Sequence, residues 1–250
     1  MAELPASTIV DSIAVLGRML DTFEELPASP VSIYVDLEGI DLSRNGTISI
    51  LQLYILPQDH TFLVDVHTLQ SQAFSTFATN GTTSLKTILE SDTIPKAFFD
   101  VRNDSDALYS HFSIHLAGIE DIQLMELAAR SLSRRTVNGL AKCIERDAPI
   151  SSTERLAWKA TKEKGLNLFA PERGGRYEVF NERPPAPDIV LYCVQDVRIL
   201  SKLFLLYQSK LDSAWKEKVK EATRDRIILS QGVDYNGQGR HMALAPAGWY

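Results

Sequence analysis

The chain has 250 residues, 44 % apolar and 23 % charged, which is the range in which one large α/β domain buries a full core. Its net charge of −6 argues against a protein that coats nucleic acid by charge alone, because that mode needs a broad basic face. Local contact with nucleic acid stays open. Bound divalent ions would change this balance, since they add positive charge where a phosphate lies.

The N-terminus and the cysteines indicate the compartment. No apolar run reaches the length of a membrane span, and the first residues, MAELP, lack the basic and apolar segments of a signal peptide. The only two cysteines, Cys143 and Cys193, are typical of free, buried thiols in a reducing environment. We therefore expect an intracellular protein, in the nucleus or the cytoplasm, that is not secreted and has no membrane partner.

The first half of the chain is rich in strand patterns. Apolar spacing predicts an amphipathic helix over residues 9–23, which ends before a proline-rich turn. Segments rich in β-branched and aromatic residues predict strands over residues 31–38, 47–56, 61–66, 96–100 and 119–124. The first three follow one another through short turns and predict an antiparallel meander. A short helix is predicted over residues 84–90.

Helical spacing dominates the second half. Predicted helices cover residues 104–116, 125–132, 137–146, 188–211 and a basic stretch from Lys216 to Arg226. The first of these should begin near Asn103 or Asp104, because both residue types suit an N-cap. Glycine, proline and charge predict a long exposed loop over residues 170–187, and Trp249 is expected to pack the tail on the core.

Asp36-Leu37-Glu38 is the first candidate for chemistry. Two carboxylates two residues apart on a strand point to the same face, which makes a site for a hard cation. Acidic residues are depleted in strands, so their place in an apolar strand needs a reason. Taken alone, the pair is more typical of a strand end that faces water, because short motifs often match by chance.

Two further candidates lie later in the chain. Asp104 falls in the first turn of a predicted helix, where a carboxylate also stabilises the helix dipole. Tyr192 and Asp196 are four residues apart on one helical face and are therefore adjacent in space. Each of these has a purely structural explanation when it is considered alone.

In combination, the three motifs resemble those of the DEDD 3′–5′ exonucleases, in the subgroup with a tyrosine. Asp-x-Glu lies on the first predicted strand, an aspartate lies at the start of a mid-chain helix, and Tyr-x-x-x-Asp lies on a late helix. The segments Arg183-Pro184-Pro185 and Asp196-Val197-Arg198-Ile199-Leu200 are similar to the third-motif region of RNase D. The segments from Asp100 to Leu108 and from Asp121 to Ala128 are similar to the Egalitarian-like branch.

The resemblance implies an RNase H-like α/β fold, with a mixed five-stranded sheet flanked by helices and with extra N- and C-terminal helices. It also implies hydrolysis with two divalent cations, Mg²⁺ or Mn²⁺. Asp36 would bridge the two ions, Glu38 and Asp196 would complete one site, and Asp104 would hold the second ion. Tyr192 would orient the attacking water or help to deprotonate it. If Asp104 points away, Asp100 is the alternative ligand.

The domain plan that follows has an N-terminal helix and linker over residues 1–29, an exonuclease domain over 30–211, and a C-terminal helix and tail over 212–250. The expected partner is single-stranded nucleic acid, with RNA favoured over DNA, and the expected products are nucleoside monophosphates. Two other hypotheses stay open: a weakly catalytic RNA-binding or scaffold module that keeps the nuclease fold, and a structural domain whose carboxylates are merely solvated.

Three weaker patterns have structural and functional explanations. Arg173, Arg176 and Tyr177 in the long loop could contact a phosphate backbone and stack a base, or could be solvated loop residues. His111 and His115 are four residues apart, but the motif lacks the glutamate and third ligand of a zinc site. The basic C-terminal stretch is typical of a solvated helical face, with guidance of a nucleic-acid strand as the second hypothesis.

Overall fold

A computed structural model describes residues 5–23 and 26–249 of the chain. The strands are β1 Ser7–Val10, β2 Ile33–Glu38, β3 Ile50–Ile55, β4 His60–Asp65, β5 Lys96–Phe98 and β6 Ile119–Asp121. The helices are α1 Ile13–Asp21, α2 Val66–Leu69, α3 Gln72–Ser75, α4 Leu85–Glu90, α5 Arg102–Phe112, α6 Ile122–Ala129, α7 Leu140–Asp147, α8 Ser152–Phe169, α9 Pro187–Gln208 and α10 Ser213–Gln231. No helix among the described residues is long and apolar enough to cross a membrane.

The sheet is mixed, and its strand order is β1-β4-β3-β2-β5-β6. The predicted meander is confirmed, because β2 pairs with β3 and β3 with β4 in antiparallel register. β5 lies parallel to β2, and β6 lies parallel to β5. The architecture is the predicted α/β sheet flanked by helices, but the described part of the chain forms six strands, so the predicted number of five was wrong.

The additional strand, β1, corrects the prediction of a helix over residues 9–23. Residues Thr8, Ile9 and Val10 are all β-branched, and they pair in parallel with β4 at the edge of the sheet. The helix itself starts only at Ile13, after an extended Ser12. The predicted linker includes Glu24 and Glu25, which lie outside the described residues.

Successive side chains of β2 point to opposite faces of the sheet, so the strand's core residues and its acidic residues lie on different faces. Ile33, Val35 and Leu37 are buried in a cluster with apolar residues of α1, α3, α4 and α5. The other face of the strand carries Asp36 and Glu38 and lies under α9, whose apolar residues belong to the cores on that side. One six-residue strand therefore anchors a core on one face and presents two carboxylates on the other.

The start of α5 differs from its predicted N-cap. The helix begins at Arg102, so Asp104 lies within the first turn and does not cap it. The turn before it is fixed by the carboxylate of Asp121, which accepts hydrogen bonds from the backbone N–H groups of Asp100, at 3.1 Å, and Val101, at 3.4 Å. Asp100 itself has a left-handed backbone, with φ of 61°.

The region before α9 is more ordered than the predicted exposed loop. Two 3₁₀ turns, Pro171–Arg173 and Tyr177–Asn181, shape it, and Val179 and Phe180 are buried against α9. The prediction of a fully exposed loop over residues 170–187 was therefore wrong for its middle. The preceding helix, α8, was not predicted at all.

The C-terminal predictions agree with the structure. The basic stretch lies on α10, and Trp249 is buried against Trp215, with ring centroids 5.2 Å apart. Cys143 and Cys193 are free and buried, as their number and spacing predicted.

Candidate active site

Strand β2 supplies two neighbouring carboxylates. Asp36 lies opposite Gln52 and Glu38 opposite Ile50 in the register with β3, so both acidic side chains point to the α9 face. The two carboxylates are half-buried. Gln52 is fully buried, and neither atom of its side-chain amide has a hydrogen-bond partner in the protein. The floor of the site is therefore polar, and the protein leaves some of its buried polar atoms without hydrogen bonds.

Helix α5 brings a third carboxylate to this floor. Asp104 is buried, and its pKa is raised well above the usual range by burial, followed by the charges of Asp36, Asp100 and Glu38. Asp100 is instead held in ion pairs with Arg102, at 2.6 Å, and Arg226, at 3.4 Å. The structure thus brings Asp104 to the strand carboxylates, whereas Asp100 faces two arginines.

Helix α9 supplies the remaining two groups from one face. Tyr192 and Asp196, one turn apart, are both buried. The pKa of Tyr192 is raised by burial, then by the charges of Glu38, Asp196 and Asp36. All five predicted positions therefore converge at one place, although they come from β2, α5 and α9.

Burial, followed by repulsion among the carboxylates, raises the pKa values of the acidic groups in the site. Burial raises the pKa of Asp36 to about 7, and the charge of Asp196 adds to the increase. Burial also raises the pKa of Glu38, followed by the charge of Asp36. Such an arrangement favours protonation or the arrival of positive charge.

Lys162 on α8 is a site residue that the sequence analysis missed. Its ammonium group donates a 3.0 Å hydrogen bond to the Tyr192 hydroxyl and forms an ion pair with Oδ2 of Asp196. The same charge lowers the pKa of Asp36 and of Glu38, against the effect of burial. No motif contains this lysine, but Ser151 and Glu154 form a capping box that signals the helix carrying it.

The donor set fits hard divalent cations. The four converging acidic side chains supply carboxylate oxygens, which are the ligands that Mg²⁺ and Mn²⁺ prefer. Oδ1 of Asp196 is buried and has no hydrogen-bond partner, so one ligand atom is already free. Within residues 5–23 and 26–249, no three acidic, histidine or cysteine side chains are already arranged around one ion position. Lys162 holds the other oxygen of Asp196, which explains part of this.

The weaker candidates are engaged elsewhere. Arg173 pairs with Glu163 and Arg176 with Glu182, so both loop arginines have local acidic partners. Tyr177 stacks on Phe169, although its side chain remains exposed. His115 lies beyond the end of α5, so the two histidines do not share a helix face as the zinc hypothesis required.

Comparison with known proteins gives the family. A family model described as 3′–5′ exonuclease matches residues 13–212, which is 200 of the 250 residues. No curated protein sequence shows a significant match. The structure is similar to Trypanosoma brucei RNase D in complex with RNA U12, with a TM-score of 0.74 and 18 % identity, over 98 % of this chain and 78 % of that one.

Two bacterial structures are also similar. Escherichia coli RNase D, an exoribonuclease involved in structured RNA processing, matches with a TM-score of 0.60 and 17 % identity, over 91 % of this chain and 51 % of that one. Brucella melitensis NrnC bound to pGG matches with a TM-score of 0.57 and 14 % identity, over 87 % of this chain and 94 % of that one. At such identities the likeness shows the fold, while the family model covers most of the sequence. The chain belongs to the 3′–5′ exonuclease family.

Proposed function

We propose that the protein is a metal-dependent 3′–5′ exonuclease that acts on single-stranded nucleic acid, with RNA favoured over DNA, and releases nucleoside monophosphates. The observation that carries the proposal is the convergence of Asp36, Glu38, Asp104 and Asp196 beside Tyr192, in a chain of the 3′–5′ exonuclease family. An intracellular location is part of the proposal.

Four carboxylates would hold the two cations. Asp36 would contact both, Glu38 and Asp196 would complete one site, and Asp104 would complete the other. When bound, Mg²⁺ or Mn²⁺ stabilises the negative charge of the attacking and leaving oxygens of a phosphodiester. The burial of Asp104 and Asp196 keeps these ligands in a place of restricted solvent, where electrostatic interactions are stronger than in water.

Tyr192 suits the role of orienting the attacking water. Its pKa is raised, so the phenol keeps its proton at neutral pH and acts as a hydrogen-bonding group. Its hydroxyl lies between Lys162, which donates to it, and Glu38, whose pKa it lowers. This argues for positioning of a water molecule and against Tyr192 as the group that removes the proton.

The preference for RNA rests on similarity. T. brucei RNase D is seen with RNA U12, and NrnC with pGG, so two proteins of this fold hold short single strands. The likeness of the second motif to the Egalitarian-like branch and of the third-motif region to RNase D supports the same choice. Sugar discrimination would depend on contacts to the 2′-hydroxyl.

The test is digestion of single-stranded RNA and DNA, labelled at the 3′ or 5′ end, with Mn²⁺, Mg²⁺ or EDTA. We expect a metal-dependent ladder that shortens from the 3′ end and releases monophosphates. Asp36→Asn should reduce the rate by more than about a hundredfold, because loss of even an outer partner of a metal ligand costs 10–100-fold.

Asp41→Asn is the matched control. Asp41 is exposed, lies in the loop just after β2 and has a left-handed backbone that asparagine tolerates. The Asp41→Asn variant should cleave single-stranded nucleic acid at the wild-type rate. RNA that is bound without any metal-dependent cleavage would contradict the proposal and favour the scaffold hypothesis.

A further inference from the structure

Lys162 lies at the centre of the candidate site, yet it is none of the five residues in the motifs. Its side chain is 19 % exposed, and its Nζ atom lies 4.4 Å from the centre of the Tyr192 ring in addition to bonding the hydroxyl. The ion pair with Asp196 completes its contacts. A metal ion in this site would need the same Asp196 carboxylate that Lys162 binds.

The two oxygens of Asp196 are in different situations. Oδ2 is paired with the ammonium group of Lys162, whereas Oδ1 is buried without a partner. A buried carboxylate oxygen that lacks a hydrogen bond is unfavourable. Within the protein, therefore, only one oxygen of Asp196 has a partner, and that partner is the ammonium group of Lys162.

The contact with Tyr192 has a defined direction. A protonated lysine has three donors and no acceptor, so the Tyr192 oxygen must accept the hydrogen bond from Nζ. The phenolic proton is therefore free to point elsewhere, and the carboxylate of Glu38 is a neighbouring acceptor. Lys162 thus fixes the hydroxyl orientation on the side where water activation is proposed.

The position of Lys162 is set by packing between α8 and α9. Gly165, three residues later, lies so close to the ring of Tyr192 that an added Cβ would be 2.5 Å from a ring carbon. Gln195 on α9 donates a 3.1 Å hydrogen bond to the backbone carbonyl of Trp158 on α8. The lysine therefore extends from a rigid helix pair, and its contacts are not those of a free surface chain.

We propose that Lys162 is a resident cation that holds Asp196 while divalent metal is absent, yields that carboxylate when metal binds, and remains as the positioning residue of Tyr192. The proposal rests on the proposed function, since it assigns Asp196 to a metal. Lys162 competes with the metal in two ways: it occupies a ligand oxygen, and it places a like charge beside the ion. Both effects oppose metal binding.

The test is titration of the substrate-free protein with Mn²⁺, followed by the electron paramagnetic resonance signal of free Mn²⁺. Lys162→Met removes the charge and keeps a side chain of similar length. We expect it to bind Mn²⁺ at least about tenfold more tightly than the wild type, which corresponds to about 1.4 kcal/mol. Lys159→Met is the control, because Lys159 lies one turn earlier on α8, is exposed and pairs with Glu145.

Thermal unfolding provides the second measurement. Without metal, Lys162→Met should have a lower Tm than the wild type, because Asp196 loses its counter-charge. At saturating Mn²⁺ the difference should shrink or reverse, and Lys159→Met should match the wild type throughout. A merely structural role predicts instead a lower Tm in both conditions and weaker Mn²⁺ binding.

The outcomes separate this inference from the proposed function. If the wild type binds Mn²⁺ and Asp36→Asn does not, while Lys162→Met binds it no more tightly than the wild type, only the role of Lys162 is overturned. If neither the wild type nor Asp36→Asn binds Mn²⁺, both the proposed metal site and the proposed role of Lys162 are overturned.

Discussion

At the scale of one residue, Asp36 shows how the fold keeps a carboxylate close to other acidic groups that repel it. Its neighbours in sequence, Val35 and Leu37, are buried on the opposite face, so the strand cannot shift to expose the carboxylate without exposing the core. Asp196 approaches from α9 and raises its pKa further. The core on one side of β2 thus stabilises the crowding of acids on the other.

This crowding predicts a pH dependence in the metal-free protein. Because the pKa of Asp36 is raised from 3.8 to about 7, the folded state binds its proton more tightly than the unfolded state does. Its contribution to stability is fully present near pH 4 and is lost as the pH rises through 7. The free energy of unfolding in urea, measured with EDTA from pH 5 to 8, should therefore fall.

Asp36→Asn should flatten that decline, because the amide does not titrate and no longer repels the other acids. Saturating Mg²⁺ should flatten it in the wild type, since the ions bind the ionised carboxylates. An equal decline in the wild type and in Asp36→Asn, both without metal, would show that other groups cause it.

Sequence patterns located the five acidic and aromatic positions because each lies in a short motif. They could not decide between Asp100 and Asp104. That choice depends on Arg226, far along the chain, which pairs with Asp100. Lys162 was missed for a similar reason: its importance comes from the packing of α8 on α9 and from no local pattern.

At the scale of elements, the contact between α8 and α9 controls the geometry of Tyr192. Gly165 is buried in this contact, and the nearest ring carbon of Tyr192 would lie 2.5 Å from an added Cβ. Real Cβ atoms do not approach this closely, so a side chain there must move the tyrosine or separate the helices. The pairing of these helices is therefore part of the candidate active site.

Gly165→Ala should lower kcat on single-stranded RNA and should destabilise the fold by about 1–3 kcal/mol, the usual range for overpacking. Gly17→Ala is the control, because Gly17 also lies within a helix but has open space around its position. That variant should keep its activity and gain up to about 1 kcal/mol. If kcat were unchanged in Gly165→Ala, the contact between α8 and α9 would not control catalysis.

Element prediction succeeded where periodicity was strong and failed where tertiary pairing decided. The meander and α9 have clear patterns. Residues Ser7–Val10 form a strand because the edge of β4 accepts them, which apolar spacing alone does not show. Helix α8 has charges spread over much of its surface, and its apolar pattern is correspondingly weak.

At the scale of the whole molecule, α10 completes the site from outside the region matched by the family model, which ends at residue 212. Arg226 on this helix pairs with Asp121, at 2.6 Å, and with Asp100. Asp121 in turn binds the backbone of the turn that precedes Asp104. The last helix thereby fixes where α5 begins.

Arg226→Met should destabilise the protein by about 3–5 kcal/mol, because it removes the guanidinium group that balances the charge of the buried Asp121 carboxylate. Urea unfolding would measure the loss. Arg224→Met, at an exposed position of the same helix, should change stability by no more than about 0.5 kcal/mol. If the two variants were equally stable, the ion pair would not hold the turn before Asp104.

The residues of the candidate site lie far apart in the sequence, and this determines when the site can form during synthesis. Asp36 is synthesised well before Asp196 and the supporting Arg226. Domains generally fold as units during synthesis, and contacts between distant segments wait until both have left the ribosome. The candidate active site therefore cannot assemble until the segments that carry Asp196 and Arg226 have left the ribosome.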